Sequence, residues 1–452
     1  MTPFGFSDDS SDESNKPEDF NAMMRQMQEQ IQEQLEKLGV NPAGFINPLA
    51  AFGGGESEPL PHNVVRDVSR KFITAHGSQP IGVKDVTVVD SALEIADIWL
   101  NEATLFPSTD VTGAPRAVSR SDWTDATLKG WQATMEPLAI GLTSAITSLL
   151  DEAMSSQAGD EGENQAGAIA PIGAIAALLR SFIGSMLATQ LGQSIGGIAA
   201  TATGAHDTGL PLLEPARPLL IPENIDVWSK DLEIPKSEVY IFHALREAAI
   251  ARLFQHNPWI VGYIRSAIVE YGRGIHIDLD AIQRQAEEAM EGFDPSQLNP
   301  AQFDPSKMAD AENSFTIALN NGIFTPEETP AQRLALSKLE TVLALVDGWA
   351  DDVATTAAGD RLPSITALRE TYRRSRVTSA PSQQLFKSLL GLEVKPKLAR
   401  EASAFWQKIR EVKDIETRDQ IWSGILPTAE ELLAPELFIA SSEIPDDLSG
   451  LI

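Results

Sequence analysis

Residues 235–259, PKSEVYIFHALREAAIARLFQHNPW, decide the fold class. Val239, Phe242, Leu245, Ala249 and Leu253 recur at three- and four-residue steps, so they share one face of a helix. Pro235 suits a first turn, where its missing N–H is not needed, and Asn257-Pro258 ends the pattern. At the centre stands Arg246-Glu247-Ala248-Ala249-Ile250. With imidazoles at positions 246 and 250 this would read H-E-x-x-H. That motif holds zinc between two histidines one turn apart and uses the glutamate as general base toward the zinc-bound water. Of those three groups only Glu247 is present.

Working outward from that helix, the chain has 452 residues and a formal charge of −29. Such an acidic balance argues against nonspecific binding to nucleic acid or to an anionic membrane surface. There is no cysteine, which excludes disulfides, thiolate zinc sites and a cysteine nucleophile. The N-terminus, MTPFGFSDDSSDESNKPEDF, has no basic region followed by an apolar run. A cytoplasmic location is therefore expected.

Residues 1–17 read as a disordered acidic tail. Over 18–38 an apolar stripe of Phe20, Met23, Met27, Ile31 and Leu35 predicts an amphipathic helix, which packs on its own body or docks on a partner groove. Residues 39–60 are a Gly/Pro linker, and the folded body is expected over 61–440, followed by a tail at 441–452. Within the body, helices are expected over 62–75, 83–103, from Ser121 as N-cap through Leu150, over 261–271, 280–291, 329–358, 363–377, 383–390, 396–413 and 428–434. Residues 293–305 read as loop. Ala168–Ala205 is the most apolar stretch and has no charge after Arg180. Its length would span a bilayer, but Arg180 and the scattered Gln and Ser favour a buried helix in a bundle. Gly184, Ala188, Gly192, Gly196 and Ala200 form a small-residue stripe, expected to face a neighbouring helix closely, with the Glu247 helix as one candidate. Strand signals are rare. The expected class is mainly α, a multi-helix bundle with few short strands.

The central helix, together with Gln190-Leu191-Gly192-Gln193, Asp207-Thr208-Gly209-Leu210-Pro211-Leu212, Val346-Asp347-Gly348-Trp349, Gly359-Asp360-Arg361-Leu362-Pro363-Ser364 and Leu390-Gly391-Leu392-Glu393, resembles an actinobacterial family of zincin-like metallopeptidases whose members are often labelled hydrolases. The resemblance spans roughly residues 60 to 435. It implies a zincin-like helical domain and a zinc ligand pair at 246 and 250. It also implies Glu247 as general base and an acidic third ligand from a later helix, for which Asp347 is the matching position.

The residues depart from that pattern. A guanidinium stays protonated and repels a metal cation, so Arg246 is no ligand, and Ile250 offers no donor. Glu247 is either a general base or a carboxylate paired with Arg246, Arg252 or another basic side chain. His243, four residues earlier on the same face, is a weak metal candidate or a plain polar residue. Asp347 is one methylene shorter than glutamate. It pairs with Asp351 on one face, which means solvent exposure or a basic partner. His256 is expected to point away from Glu247. The segment 361–410 carries eleven Lys or Arg against Glu370, Glu393 and Glu401, either compensating acidic helices or offering a docking face to an acidic partner. No phosphate loop or nucleophile elbow occurs. The residues favour a protein that has lost zinc and protease activity and acts as a scaffold or regulatory binding protein for a protein or peptide partner. The alternative is a metal-dependent hydrolase using Glu247 with a non-standard site. No cofactor is expected unless the family's zinc is retained.

Overall fold

The structure, a computed structural model, describes residues 58–109, 113–157, 169–274, 329–379, 398–424 and 426–442. Among them the chain forms α1 (His62–His76), α2 (Val83–Leu100), α3 (Arg120–Gln157), α4 (Ile169–Ala199), α5 (Pro222–Trp228), α6 (Lys236–His256), α7 (Pro258–Arg273), α8 (Pro330–Ala358), α9 (Ile365–Ser379), α10 (Ala399–Val412), α11 (Ile415–Gln420), α12 (Ala429–Leu432) and α13 (Pro435–Ser442). The acidic tail, the 18–38 helix, the linker up to residue 57, the 280–291 and 383–390 helices, the 293–305 loop and the last ten residues lie outside the described residues.

The fold is mainly α, as the periodicity predicts. In place of short strands the described residues show only isolated bridges, Ala117–Leu220 and Gly204–Leu220. Pro211, Pro215, Pro218 and Pro222 punctuate that segment, and each removes an N–H that a ladder would need. Two helix starts illustrate the local code. Thr329 accepts from the backbone of Gln332, whose side chain answers it, with Pro330 in the first turn. At α3 the cap is Ser119 rather than Ser121. Its hydroxyl donates to Asp122 at 2.6 Å and accepts from the Asp122 backbone N–H at 3.1 Å, a reciprocal pair that needs the three-residue spacing.

Helix α6 is the axis of the body. It packs between α2 and α8, and 15 of its 21 residues are buried. The single apolar face expected from its spacing is therefore only part of its contact surface. His243, Arg246, Glu247 and Arg252 are also buried and must find partners inside the protein. Beside it, α8, α10 and the turn Ile421–Ser423 enclose Trp349, Trp406 and Trp422, with the last two rings stacked at 5.2 Å.

The small-residue stripe of α4 packs against α1 rather than against α6. A Cβ at Gly192 would stand 2.8 Å from the Val65 carbonyl oxygen, and one at Gly196 would stand 2.7 Å from Phe72 Cβ. The partner is the helix nearest in sequence to the linker, and Leu60 and Pro59 already lie against the body. Among the described residues no helix is long and apolar enough to cross a membrane. The side chain of Arg180 lies outside the described residues.

Candidate functional site

The residues singled out in the sequence meet where a non-helical segment, residues 203–221, crosses α6. Its backbone turns several N–H groups toward the helix, and Glu247 receives them. Glu247 Oε1 accepts from Ala205 N at 2.9 Å, Leu219 N at 3.2 Å and His206 Nδ1 at 2.8 Å, and Oε2 accepts from His206 N at 3.1 Å. The residue is 4% exposed. Gly204 is required here, since a Cβ would lie 2.3 Å from Oε2. Glu247 thus clasps two separate stretches of chain to the central helix. A general base needs a lone pair aimed at its water or substrate proton, whereas three of the four donors here converge on one oxygen. Glu247 does pair with a basic side chain, but the partner is His206, not the expected arginines. Arg252 instead reaches Asp97 at 2.9 Å and Asn101 at 3.0 Å.

Arg246 turns the other way, toward α8. It bonds to Asp347, reaches Asp351 at 3.4 Å, and lies over the Tyr372 ring at 4.2 Å. Burial opposes its charge, but Tyr372, Asp347 and Asp351 outweigh burial and hold its pKa above the ordinary arginine value. Asp347 and Asp351 share a face because a basic partner sits between them, the second of the two expected readings. Asp351 also accepts from Arg369 at 2.6 Å, Arg373 at 2.7 Å and Ser403 at 2.6 Å. Burial raises its pKa, yet Arg369, Arg246 and Arg373 together hold it well below the usual carboxylate range. Among the described residues the basic run thus meets acidic side chains inside the protein. Further members are Arg376 with Asp207, Arg410 with Asp352 and Lys408 with Glu436.

His243 is 3% exposed and does not touch Glu247 by hydrogen bond. Its Nδ1 lies 3.1 Å from Thr203 Oγ1. The one hydroxyl proton of Thr203 goes to Asp207 Oδ2 at 2.9 Å, so Nδ1 of His243 must donate. In the neutral ring the lone pair is then on Nε2. Burial is the main force on this imidazole, with Arg246 and Arg376 adding to it and Asp207 opposing, and its pKa is pushed down to about 4. Trp228 meets the ring edge-on at 4.8 Å. A cleft of about 210 Å³ opens beside it, walled by Asp207, Trp228, Tyr372 and Arg376. A space of about 10 Å³, room for one water, lies among His206, His243, Arg246, Glu247 and Ile250. His256 points away, with Nε2 3.1 Å from the Pro107 carbonyl oxygen.

His206, Asp207, Tyr372 and Arg376 escaped the sequence reading as site residues. Asp207 stood inside a quoted block and Arg376 inside the basic run, but neither spacing indicates which charge each meets. His206 had one usable signal: a buried glutamate needs donors, and this histidine stands just before the apolar run Leu210–Leu213.

The donor set does not fit zinc. A cation at 246 occupies the motif's first ligand position and is bonded to Asp347, the matching third. Ile250 is apolar, and Glu247 already accepts four hydrogen bonds, three of them on Oε1. Among the described residues no group of three His, Cys, Asp or Glu side chains converges on one point.

The family model described as zincin-like metallopeptidase matches residues 62–439. A solved structure from Chloroflexus aurantiacus, described as a candidate hydrolase with a novel fold, superposes with a TM-score of 0.53 at 16% identity, over 85% of this chain and 100% of that one. At that identity the likeness concerns the fold alone. No curated protein matches the chain.

Proposed function

Given that the chain belongs to the zincin-like metallopeptidase family, we propose that it is a non-catalytic member that binds a protein or peptide partner as a scaffold or regulator. One observation carries this reading: the residues at two of the family's metal-ligand positions, Arg246 and Asp347, are bonded to each other. An ion pair there satisfies both side chains without a metal. Glu247, the expected base, is committed to holding the 203–221 segment. The cleft beside His243 presents Trp228 to a partner, with the largely buried Arg376 in its wall, and the net charge of −29 keeps nucleic acid an unsuitable one. A cytoplasmic location is part of the same proposal.

Elemental analysis of protein purified under metal-free conditions, then offered zinc, tests the proposal. The expected result is less than stoichiometric zinc. About one zinc per chain, lost on Glu247→Ala, would establish the alternative, a metal-dependent hydrolase with a non-standard ligand set.

A further inference from the structure

Helix α6 turns His243, Arg246, Glu247 and Ile250 to one side, because they follow one another at three- and four-residue steps. Thr203, Gly204 and His206 lie across that face and, with Leu220 and Tyr372, close the space of about 10 Å³ described above. Three of its wall residues, His206, His243 and Arg246, are at most 4% exposed. Each carries a nitrogen sealed from solvent that has no hydrogen-bond partner among the described residues: His206 Nε2, His243 Nε2 and Arg246 Nε. A buried polar group left unpaired costs on the order of 1–3 kcal/mol. Three of them on the walls of one small space call for a shared partner.

The hydrogen bonds already made fix what that partner must offer. His206 Nδ1 stands 2.8 Å from Glu247 Oε1, and a carboxylate only accepts. Nδ1 therefore carries the proton, and the neutral ring keeps its lone pair on Nε2. His243 reaches the same state through Thr203, whose own proton goes to Asp207. The walls thus bring two acceptors, the imidazole lone pairs, and one donor, the Nε–H of Arg246. An ammonium ion has protons for the imidazoles but no acceptor for Arg246, and its charge is repelled there. Chloride accepts from Arg246 but has no proton for either ring. Water has two protons and two lone pairs, and the volume admits one.

We propose that this space is a binding site for one structural water, which donates to His206 Nε2 and to His243 Nε2 and accepts from Arg246 Nε–H. The inference goes beyond the non-catalytic reading and rests on it in one respect, that no metal takes the same lone pairs. Its consequence is a physical link between two parts of the centre. His206 belongs to the loop that Glu247 holds, and Arg246 belongs to the ion pairs with Asp347 and Asp351 on α8. No direct hydrogen bond joins His206 to Arg246 among the described residues; the water supplies one bond to each. It also holds both imidazoles in the Nδ1–H tautomer, because only that tautomer leaves Nε2 free to accept.

The test is a high-resolution crystal structure of the full chain, purified without added metal, together with nitrogen-15 NMR of the histidine rings and oxygen-17 relaxation dispersion of water, which counts long-lived internal waters. One density peak is expected at hydrogen-bond distance, about 2.7–3.2 Å, from all three nitrogens. Both rings should show the Nδ1–H tautomer. His243→Phe removes one lone pair and places a larger, apolar ring against the space, so the count of internal waters should fall by one. Should that variant not fold, the wild-type density and tautomers decide the matter without it. A space with no density, a peak bonded to fewer than all three nitrogens, an Nε2–H tautomer in either ring, or an unchanged count in folded His243→Phe overturns the proposal. A peak about 2.0–2.1 Å from the imidazoles with the anomalous signal of zinc overturns both the proposal and the non-catalytic reading. A space with no density overturns the water alone and leaves that reading standing.

Discussion

Glu247 on α6 and Asp352 on α8 are both almost sealed from water, at 4% and 3% exposure, yet they bond to different kinds of donor. Glu247 is met by three backbone N–H groups and one imidazole. Asp352 is met by guanidinium groups, Arg410 at 3.0 Å and Arg418 at 2.9 Å, and Arg418 is itself fully buried. In the first centre the charge is balanced by dipoles that belong to the chain, so the carboxylate fixes where loops run. In the second it is balanced by side chains carrying full charges, so each member depends on the others remaining ionised. Arg246 belongs to the second kind although it neighbours Glu247 in sequence. Position 246, where the resemblance places a zinc ligand, carries an arginine–aspartate network, while the glutamate beside it holds backbone N–H groups.

The largest expected effect tests the arginine-balanced centre. Asp352→Asn removes the charge that offsets Arg410 and Arg418 while keeping the side-chain shape. Arg418 would retain Asp419 at 2.9 Å and the Ala103 carbonyl, but two guanidiniums would share too little negative charge. Breaking a buried pair on one side costs on the order of 3–5 kcal/mol. Urea unfolding would show this as a lower midpoint at unchanged slope. A loss under about 1 kcal/mol, the range of an exposed pair, would mean that Asp352 is not the balancing charge and that the two centres do not differ as described.

A pH titration sharpens the other side. His243 lies in the backbone-balanced half, facing Asp207 through Thr203, with Arg246 and Arg376 nearby. Its folded pKa of about 4 is below its unfolded value of 6.5. Between those values the unfolded chain binds the proton and the native one does not, so stability falls as pH drops from about 6.5 to about 4. Above 6.5 this contribution is complete and flat. The full gap corresponds to at most about 3 kcal/mol. Asp207 and Asp351, whose pKa values are lowered, lose their contributions only as pH falls below the ordinary aspartate value of 3.8, so the windows separate. Unfolding free energies at several pH values, for wild type and His243→Gln, should show a slope between pH 6.5 and 4 that the variant loses. An identical slope in both would place the titrating group elsewhere.

Much of the fold was legible because it rests on local rules. The three- and four-residue spacing in Pro235–Trp259, the Thr329–Gln332 pair and the Pro/Gly punctuation each act within a few residues. The site was legible only in its identities. Arg246 and Ile250 stand where the resemblance places the zinc histidines, and Asp347–Asp351 on one face meant either solvent exposure or a basic partner. Which base each acid meets depends on contacts over a hundred residues away: Arg246 with Asp347, Asp207 with Arg376. No spacing encodes those distances. The small-residue stripe of α4 shows the same limit, since it announced close packing but not that α1 would supply it.

The smallest effect concerns Glu247→Gln, and it separates the two kinds of balance most directly. Glutamine has the same length and shape. Its carbonyl oxygen can take the Oε1 position and keep Ala205 N, Leu219 N and His206 Nδ1 as donors. Its NH₂ then takes the Oε2 position, where the His206 backbone N–H also donates, so one buried donor faces another. No full charge is stranded, because none of the backbone partners carries one. The expected loss is about 1–2 kcal/mol, the cost of one unsatisfied buried group, smaller than that of Asp352→Asn. Hydrogen exchange should show faster exchange at His206 N, with Ala205 N and Leu219 N still protected. Were Glu247→Gln to cost as much as Asp352→Asn, the Glu247 carboxylate would be acting through its charge rather than its lone pairs. The distinction between a clasp made of backbone donors and a network made of ions would then fail.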